Sequence, residues 1–249
     1  NLKILNINKT FEKIKNIDLK LIEDFKIRNL AMAIEAAKLC GLKEKLIVRS
    51  LKKLKDVNGR LELVKKYPND VKVFIDYAHT PDALLETLNS LKNNYGNNIS
   101  LVFGCGGERD RTKRPIMAKI ANDICKKIYI TDDNPRDENP QKIRKDLSKN
   151  ISKSKSFNIG NRTLAVKKAI LHADPGEIVL IAGKGHEEQQ IYKNKILNIS
   201  DKQIVKKINV KIKKKSIKNQ KYTQNKLILY KVLGKKKSLN FSGFSIDTR

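Results

Sequence analysis

"VKVFIDYAHTPDALLETLNSLKNN", residues 71–94, sets the pattern by which the rest of the chain is read. Val71 to Asp76 is a short β-branched and aromatic run, which predicts a strand ending in Asp76. Pro81 then opens the helical run DALLETLNSLKNN, because its fixed φ suits a first helical turn. The same unit recurs downstream. Ile99–Phe103 is a strand, followed by the turn GCGG and a helix from Pro115 to about Cys125. Ile128–Thr131 is a third strand, and Pro140 starts a third helix. Ser156–Ile159 is a short strand, Arg162–Leu171 a helix, Glu177–Ala182 the last apolar strand and Asp201–Ile208 the last helix. Repeated βα units imply an α/β fold with a mainly parallel sheet and helices on both faces.

In such sheets ligands sit beyond the carboxyl ends of the strands. The polar motifs fall there: DYAHTP after the first strand, GCGGERD after the second, TDDNPR after the third and AGKGHE after the last. Upstream, residues 28–40 (RNLAMAIEAAKLC) have helical spacing and stop at Gly41, a C-cap glycine. Gly59-Arg60 separates a polar run from a short strand around Leu61 and Val64, which places a domain boundary near residue 57. From Lys211, KIKKKSIKNQK reads as a linker.

Charge first suggests nucleic acid: 54 Lys plus Arg face 26 Asp plus Glu, a formal net charge of +28. The lysines are spread through the chain, however, and arginines and aromatics form no interleaved stripe of the kind single-strand binding uses. The bland reading is a lysine-biased solvated surface, whose potential still attracts phosphorylated substrates. Three cysteines without metal-like spacing fit a reducing cytoplasm, and three histidines build no His-rich metal centre.

Each motif has a chemical and a plain structural reading. Asp76 can contact a ribose or a magnesium hydration shell and His79 a nucleotide; alternatively Asp76 and Thr80 cap the helix that follows. In GCGGERDRTKRP, glycines permit close backbone approach while Arg109, Lys113 and Arg114 offer cations to phosphate or carboxylate. Neither this turn nor GKGHE has the GxxxxGK[ST] pattern of a Walker loop. GKGHE is read as a pocket wall presenting His186 and Glu187. In TDDNPR, Pro135 stiffens the loop, Arg136 can fork around a carboxylate and Asp133 can accept from an ammonium. With Arg109 and Glu187 these groups would hold an amino-acid zwitterion, as an ATP-dependent amide-forming ligase requires.

The ordered set DYAHTPDAL, FGCGGERDRTKRPIM, TDDNPRDENP and AGKGHE resembles the Mur ligases over roughly residues 20 to 208, most closely the members that add diaminopimelate. The resemblance implies three domains in the intact enzyme, of which this chain carries the end of the central ATP-binding domain (1–57) and a Rossmann-like C-terminal domain (58–209). Carried across by motif, Asn29, Arg60, Asp76 and His79 are expected to face ATP. Arg109, Asp133, Asn134, Arg136, Gly183 and Glu187 are expected to hold meso-2,6-diaminopimelate, with Arg136 on its distal carboxylate. Lysine lacks that carboxylate, so Arg136 argues against a lysine-adding relative.

The implied cofactors are ATP and Mg2+, both bound largely by the central domain. The implied partners are diaminopimelate and the UDP-linked muramoyl dipeptide, with no specific nucleic acid and no membrane insertion. The P-loop, the carbamylated lysine and the catalytic residues are expected upstream of this chain, so that it would be inactive alone. Lys26, where relatives commonly have Asn or Gln, and Glu23-Asp24, in place of a glycine-containing approach, depart from the pattern near Asn29. The segment NFSGFSIDTR resembles the start of the ligase that adds D-alanyl-D-alanine, MurF, so residues 210–249 are read as a linker and the start of a covalently fused MurF-like domain. The alternatives are a lysine-adding or folylpolyglutamate-type ligase, or, from another class, a basic nucleic-acid-binding or non-catalytic scaffold module.

Overall fold

The computed structural model describes residues 6–15, 24–51, 53–54 and 57–210. The lysine-rich stretch from Lys211, the NFSGFSIDTR segment and Glu23 lie outside the described residues. Three helices come first: α1 (Asn8–Lys15), α2 (Asp24–Leu39) and α3 (Glu44–Leu51). Only α2 is expected from the sequence. The three share an apolar cluster of their own, including Ile14, Ile27, Ala31, Ile34, Ile47 and Leu51.

The sheet follows, built from β1 (Glu62–Lys66), β2 (Lys72–Asp76), β3 (Ile99–Phe103), β4 (Lys127–Ile130), β5 (Ser156–Asn158) and β6 (Ile178–Ala182). Its order is β1-β2-β6-β3-β4-β5. β1 runs antiparallel to β2 at one edge, and every other pairing is parallel. Leu180 of β6 pairs with Phe74 of β2 on one side and Leu101 of β3 on the other. The last strand therefore lies between the first two of the parallel set, and the loops leaving β2, β3, β4 and β6 converge at one edge.

Helices α4 (Pro81–Tyr95), α5 (Lys113–Ile124), α6 (Pro140–Ser148), α7 (Arg162–Leu171) and α8 (Asp201–Lys207) complete the layers. Alternation along the strands sorts the two cores. Phe74, Leu101, Phe103, Ile128, Ile130 and Leu180 pack with residues of α4, α5 and α6. Val73, Ile75, Val102, Tyr129, Val179 and Ile181 pack with residues of α7 and α8. Leu84, Leu88 and Leu91, at the i, i+4, i+7 positions of α4, are all buried, and each contributes about 1.5–3 kcal/mol of apolar burial. Thr80 caps this helix by accepting from the Ala83 N–H, with Pro81 inside the first turn.

From β2 onward the strand and helix limits agree with the sequence reading to within two residues, α5 starting at Lys113 rather than Pro115, whereas α2 starts at Asp24, four residues before the expected 28. Besides α1 and α3, one further feature was not expected. After the GKGHE turn the chain forms an antiparallel hairpin, β7 (Gln189–Tyr192) and β8 (Lys195–Asn198), whose tip lacks the glycine that marks most two-residue turns.

Candidate amino-acid site

The loop after β2 begins with Asp76, whose carboxylate is committed to the fold. Leu61 N–H, Ala78 N–H and Thr87 Oγ1 all donate to it. Burial pushes its pKa up, although those three donors oppose the rise. Asp76 therefore braces β1 and the β2 loop, while Thr80 is the helix cap. Tyr77 is the hub of the rim. His79 meets its ring edge-on at 4.7 Å, His186 lies 5.8 Å away, and the Arg60 guanidinium sits 4.6 Å above the ring centroid. Lys113 reaches back to donate to the His79 carbonyl at 2.9 Å.

After β3, the GCGG turn lies directly against the DNPR loop. A Cβ on Gly107 would stand 1.9 Å from the Pro135 carbonyl oxygen, so only glycine permits the Gly107 N–H to reach the Asn134 carbonyl at 2.9 Å. Arg109 is exposed at the mouth. Arg114, read as a free cation, is not one: its side chain is 1% exposed and bound in two prongs to Glu138. The error has a physical reason, since α5 starts early enough to turn residue 114 into the core.

The DNPR loop is held by the unexpected hairpin. Gln190 Nε2 donates to the Asp132 carbonyl at 3.0 Å and Tyr192 Oη to the Asp132 carboxylate at 2.9 Å. Ile191 N–H donates to Asn134 Oδ1 and Arg136 N–H to the Ile191 carbonyl, each at 3.0 Å. Arg136 adopts a left-handed φ of 53°, which costs a non-glycine residue about 1–2 kcal/mol. This backbone conformation accompanies a guanidinium turned toward the GCGG turn, where Nη1 donates to the carbonyls of Gly107 (3.0 Å) and Asn134 (3.3 Å).

Beyond β6, Gly183 has φ of 108° and no room for a side chain, since a Cβ would lie 2.8 Å from Asp133 Oδ2. Lys184 is fully buried. Its ammonium donates to Asn134 Oδ1 (3.1 Å), Glu187 Oε2 (2.8 Å) and the Gln189 carbonyl. Asn134 Nδ2 donates to the same Glu187 oxygen at 3.0 Å. Burial alone would raise the Glu187 pKa, but Lys184, Asn134 and Tyr77 outweigh it and leave the carboxyl below the usual range.

These four loops enclose a cavity of about 420 Å³. Arg109, Asp133, Asn134, Arg136, Gly183 and Glu187 all line it, as do His79, Tyr77, Asp110 and Lys113. Both signs of charge thus face one small volume. Asn29, exposed on α2, and Asp76 do not line it, and Arg60 approaches through its stacking on Tyr77. Sequence reasoning missed Tyr77 and Lys184. The available signal for Lys184 was its place between two glycines directly after an all-apolar strand, where a side chain tends to be enclosed.

Residues 59–185, about half of the chain, match the family model described as Mur ligase, glutamate ligase domain. The chain belongs to the Mur ligase family. This Mur ligase chain is 42% identical over 189 residues to the UDP-N-acetylmuramoyl-L-alanyl-D-glutamate--2,6-diaminopimelate ligase of Buchnera aphidicola subsp. Schizaphis graminum, covering 76% of this chain and 38% of that protein. It is 40% identical over 209 residues to the ligase of the same name from Rickettsia montanensis, covering 83% and 43%. A solved structure of a UDP-N-acetylmuramoyl-L-alanyl-D-glutamate--2,6-diaminopimelate ligase matches with a TM-score of 0.58 at 36% identity, over 76% of this chain and 39% of that one. The α/β architecture is that of the Rossmann-like C-terminal domain of a Mur ligase. The Mur ligase chain spans roughly two fifths of the length of the curated relatives it matches.

Proposed function

We propose that the chain is the amino-acid-binding part of an ATP-dependent ligase that joins meso-2,6-diaminopimelate to UDP-N-acetylmuramoyl-L-alanyl-D-glutamate during peptidoglycan precursor synthesis in the cytoplasm. The observation that carries this reading is that Arg136, Asp133 and Glu187 line one and the same cavity. Diaminopimelate has two ammonium and two carboxylate groups. Glu187 and Asp133 suit an ammonium, Arg109 and Asn134 the adjoining carboxylate, and Arg136 the distal carboxylate. Among the described residues, the side-chain hydrogen bonds of Arg136 run through Nη1, so the rest of its fork can engage an acid. The names of the relatives support the same substrate.

The amine must be uncharged when it attacks an acyl phosphate, and the site contributes by orienting it. ATP would be approached by Arg60 and His79 at the Tyr77 rim and by Asn29 on α2. Among the described residues no three His, Cys, Asp or Glu side chains converge as metal ligands; Mg2+ enters this reading as the counter-ion of ATP. Among the same residues no helix is long and apolar enough to cross a membrane.

The division into residues 1–57, 58–209 and 210–249 belongs to the same proposal. The separate apolar cluster of α1–α3 and the family match beginning at residue 59 support its first boundary, and the MurF-like reading of the last segment rests on sequence alone.

Calorimetric titration of the chain with meso-diaminopimelate and with L-lysine tests the reading. Diaminopimelate should bind more tightly, and Arg136→Ala should remove roughly ten- to a hundredfold of that preference, the range expected for a hydrogen bond to a charged group. An unchanged preference would refute the assignment of Arg136 to the distal carboxylate.

A further inference from the structure

Asn134 and Glu187 face the cavity from different loops, yet a third residue fixes how each presents itself. Lys184 is fully buried, and its ammonium lies 3.1 Å from Asn134 Oδ1 and 2.8 Å from Glu187 Oε2. An amide can be turned end for end, but here only one orientation is tolerable. Oδ1 already accepts from the Lys184 ammonium and the Ile191 N–H. Turned over, the Asn134 NH2 would oppose two donors and its oxygen would oppose a carboxylate. In the observed orientation, one Nδ2 hydrogen is used on Glu187 Oε2 and the other remains. Lys184 and Asn134 both donate to Oε2 and Tyr77 also bonds to the carboxylate, whose two oxygens offer about four lone-pair sites and so keep room for a further donor.

We propose that Lys184 is a positioning residue for amino-acid binding: its buried ammonium locks Asn134 as a donor toward the substrate carboxylate and pins Glu187 so that its carboxylate receives the substrate ammonium. This deepens, and rests on, the amino-acid reading above. The lysine does not touch the substrate. Its charge also offsets that of Glu187, so an incoming ammonium is met by a carboxylate already held in place, with little reorganisation on binding.

Other charged groups around Glu187 do not substitute for it. Asp133 and Asp110 are themselves acidic side chains and can supply no cation to it. Arg109, Arg136 and Lys113 line the same cavity but hydrogen-bond elsewhere. Tyr77 bonds to the carboxylate, with His79 and His186 against its ring. Buried Arg162 feels the Glu187 charge through space but spends its hydrogen bonds on Asp201 and the Ala182 carbonyl.

The test has a ligand-free arm and a ligand arm, both on the 249-residue chain. Carboxyl-carbon NMR should show Glu187 titrating below the ordinary value of about 4.3. In Lys184→Met its midpoint should rise to that value or above, and the Asn134 NH2 signals should lose their separation from those of exposed amides. Calorimetry should show a loss of roughly tenfold or more in meso-diaminopimelate affinity at pH 7, as expected when a charged hydrogen-bond network is broken, with partial recovery in Lys184→Arg. An ordinary Glu187 midpoint in the unsubstituted chain would overturn the positioning role even if Lys184→Met failed to fold. So would full affinity in a folded Lys184→Met chain. Failure of the unsubstituted chain to bind diaminopimelate, with the Glu187 midpoint still low, would instead remove the amino-acid reading and this inference with it.

Discussion

Arg114 and Glu138 meet in a two-pronged ion pair, Nη1 to Oε1 at 2.8 Å and Nη2 to Oε2 at 2.7 Å, that joins the start of α5 to the loop leaving β4. A third contact, 3.3 Å from Arg114 Nη1 to Asp146, extends the link to α6. Neither residue lines the cavity, and the pair ties the segment that follows the GCGG turn to the segment that follows the DNPR loop.

Removing Glu138 leaves a buried guanidinium without its main partner. Glu138→Ala should therefore destabilise the chain by about 3–5 kcal/mol at pH 7. The hydrogen bond from Arg114 is the main reason the Glu138 carboxyl sits below the usual range. A depressed folded pKa gives stability that is complete above the unfolded value of about 4.3 and is lost as pH falls through the folded value. Urea unfolding should accordingly show a gap between parent and variant that is wide at neutral pH and narrows in acid below about pH 4.

Two glycines should respond differently to the same substitution. Gly107→Ala drives a methyl group into the Pro135 carbonyl, so it should cost about 1–3 kcal/mol or more from overpacking and abolish diaminopimelate binding as the two loops part. Gly41 has a φ of 82° and open space around it. Its replacement by alanine should cost only the left-handed penalty of about 1–2 kcal/mol and leave binding intact. Thermal melts paired with calorimetry measure both.

Asp76→Ala distinguishes a structural brace from a nucleotide contact. Loss of the carboxylate orphans the Leu61 and Ala78 N–H groups, at about 1–3 kcal/mol each when buried. Unfolding in urea should show a loss of about 2–6 kcal/mol. A variant as stable as the parent would mean that the carboxylate serves a ligand rather than the fold.

The sheet was legible because β2 and α4 carry different periodicities on either side of Pro81, and because the largely apolar strands 99–103, 128–130 and 178–182 give way to Gly104, to Thr131-Asp132 and to Gly183. That polar loops at the carboxyl ends of parallel strands would gather at one edge follows from topology, and the cavity lining bears this out for the loops, Asp76 excepted. Long polar side chains were less legible. Arg114, Arg162 and Lys184 are all buried, with carboxylates more than twenty residues away closing two of the three networks. No local pattern announces a distant partner. The β7–β8 hairpin was missed for a different reason: Gln189, Gln190 and Lys195 give it a polar composition, and Lys193-Asn194 supplies no glycine turn. The helices α1 and α3 are short, eight residues each, too few turns for a helical period to stand out.

Asn134 and Glu187 are 53 positions apart along the chain, and the hairpin that steadies Asn134 comes later still. A nascent polypeptide released only as far as β5 would already own the DNPR loop, but neither of the groups that orient it. Assembly of the cavity must therefore await return of β6 to the middle of the sheet, a long-range closure of the sort that slows folding. During synthesis the recognition surface would come into being late and in one step.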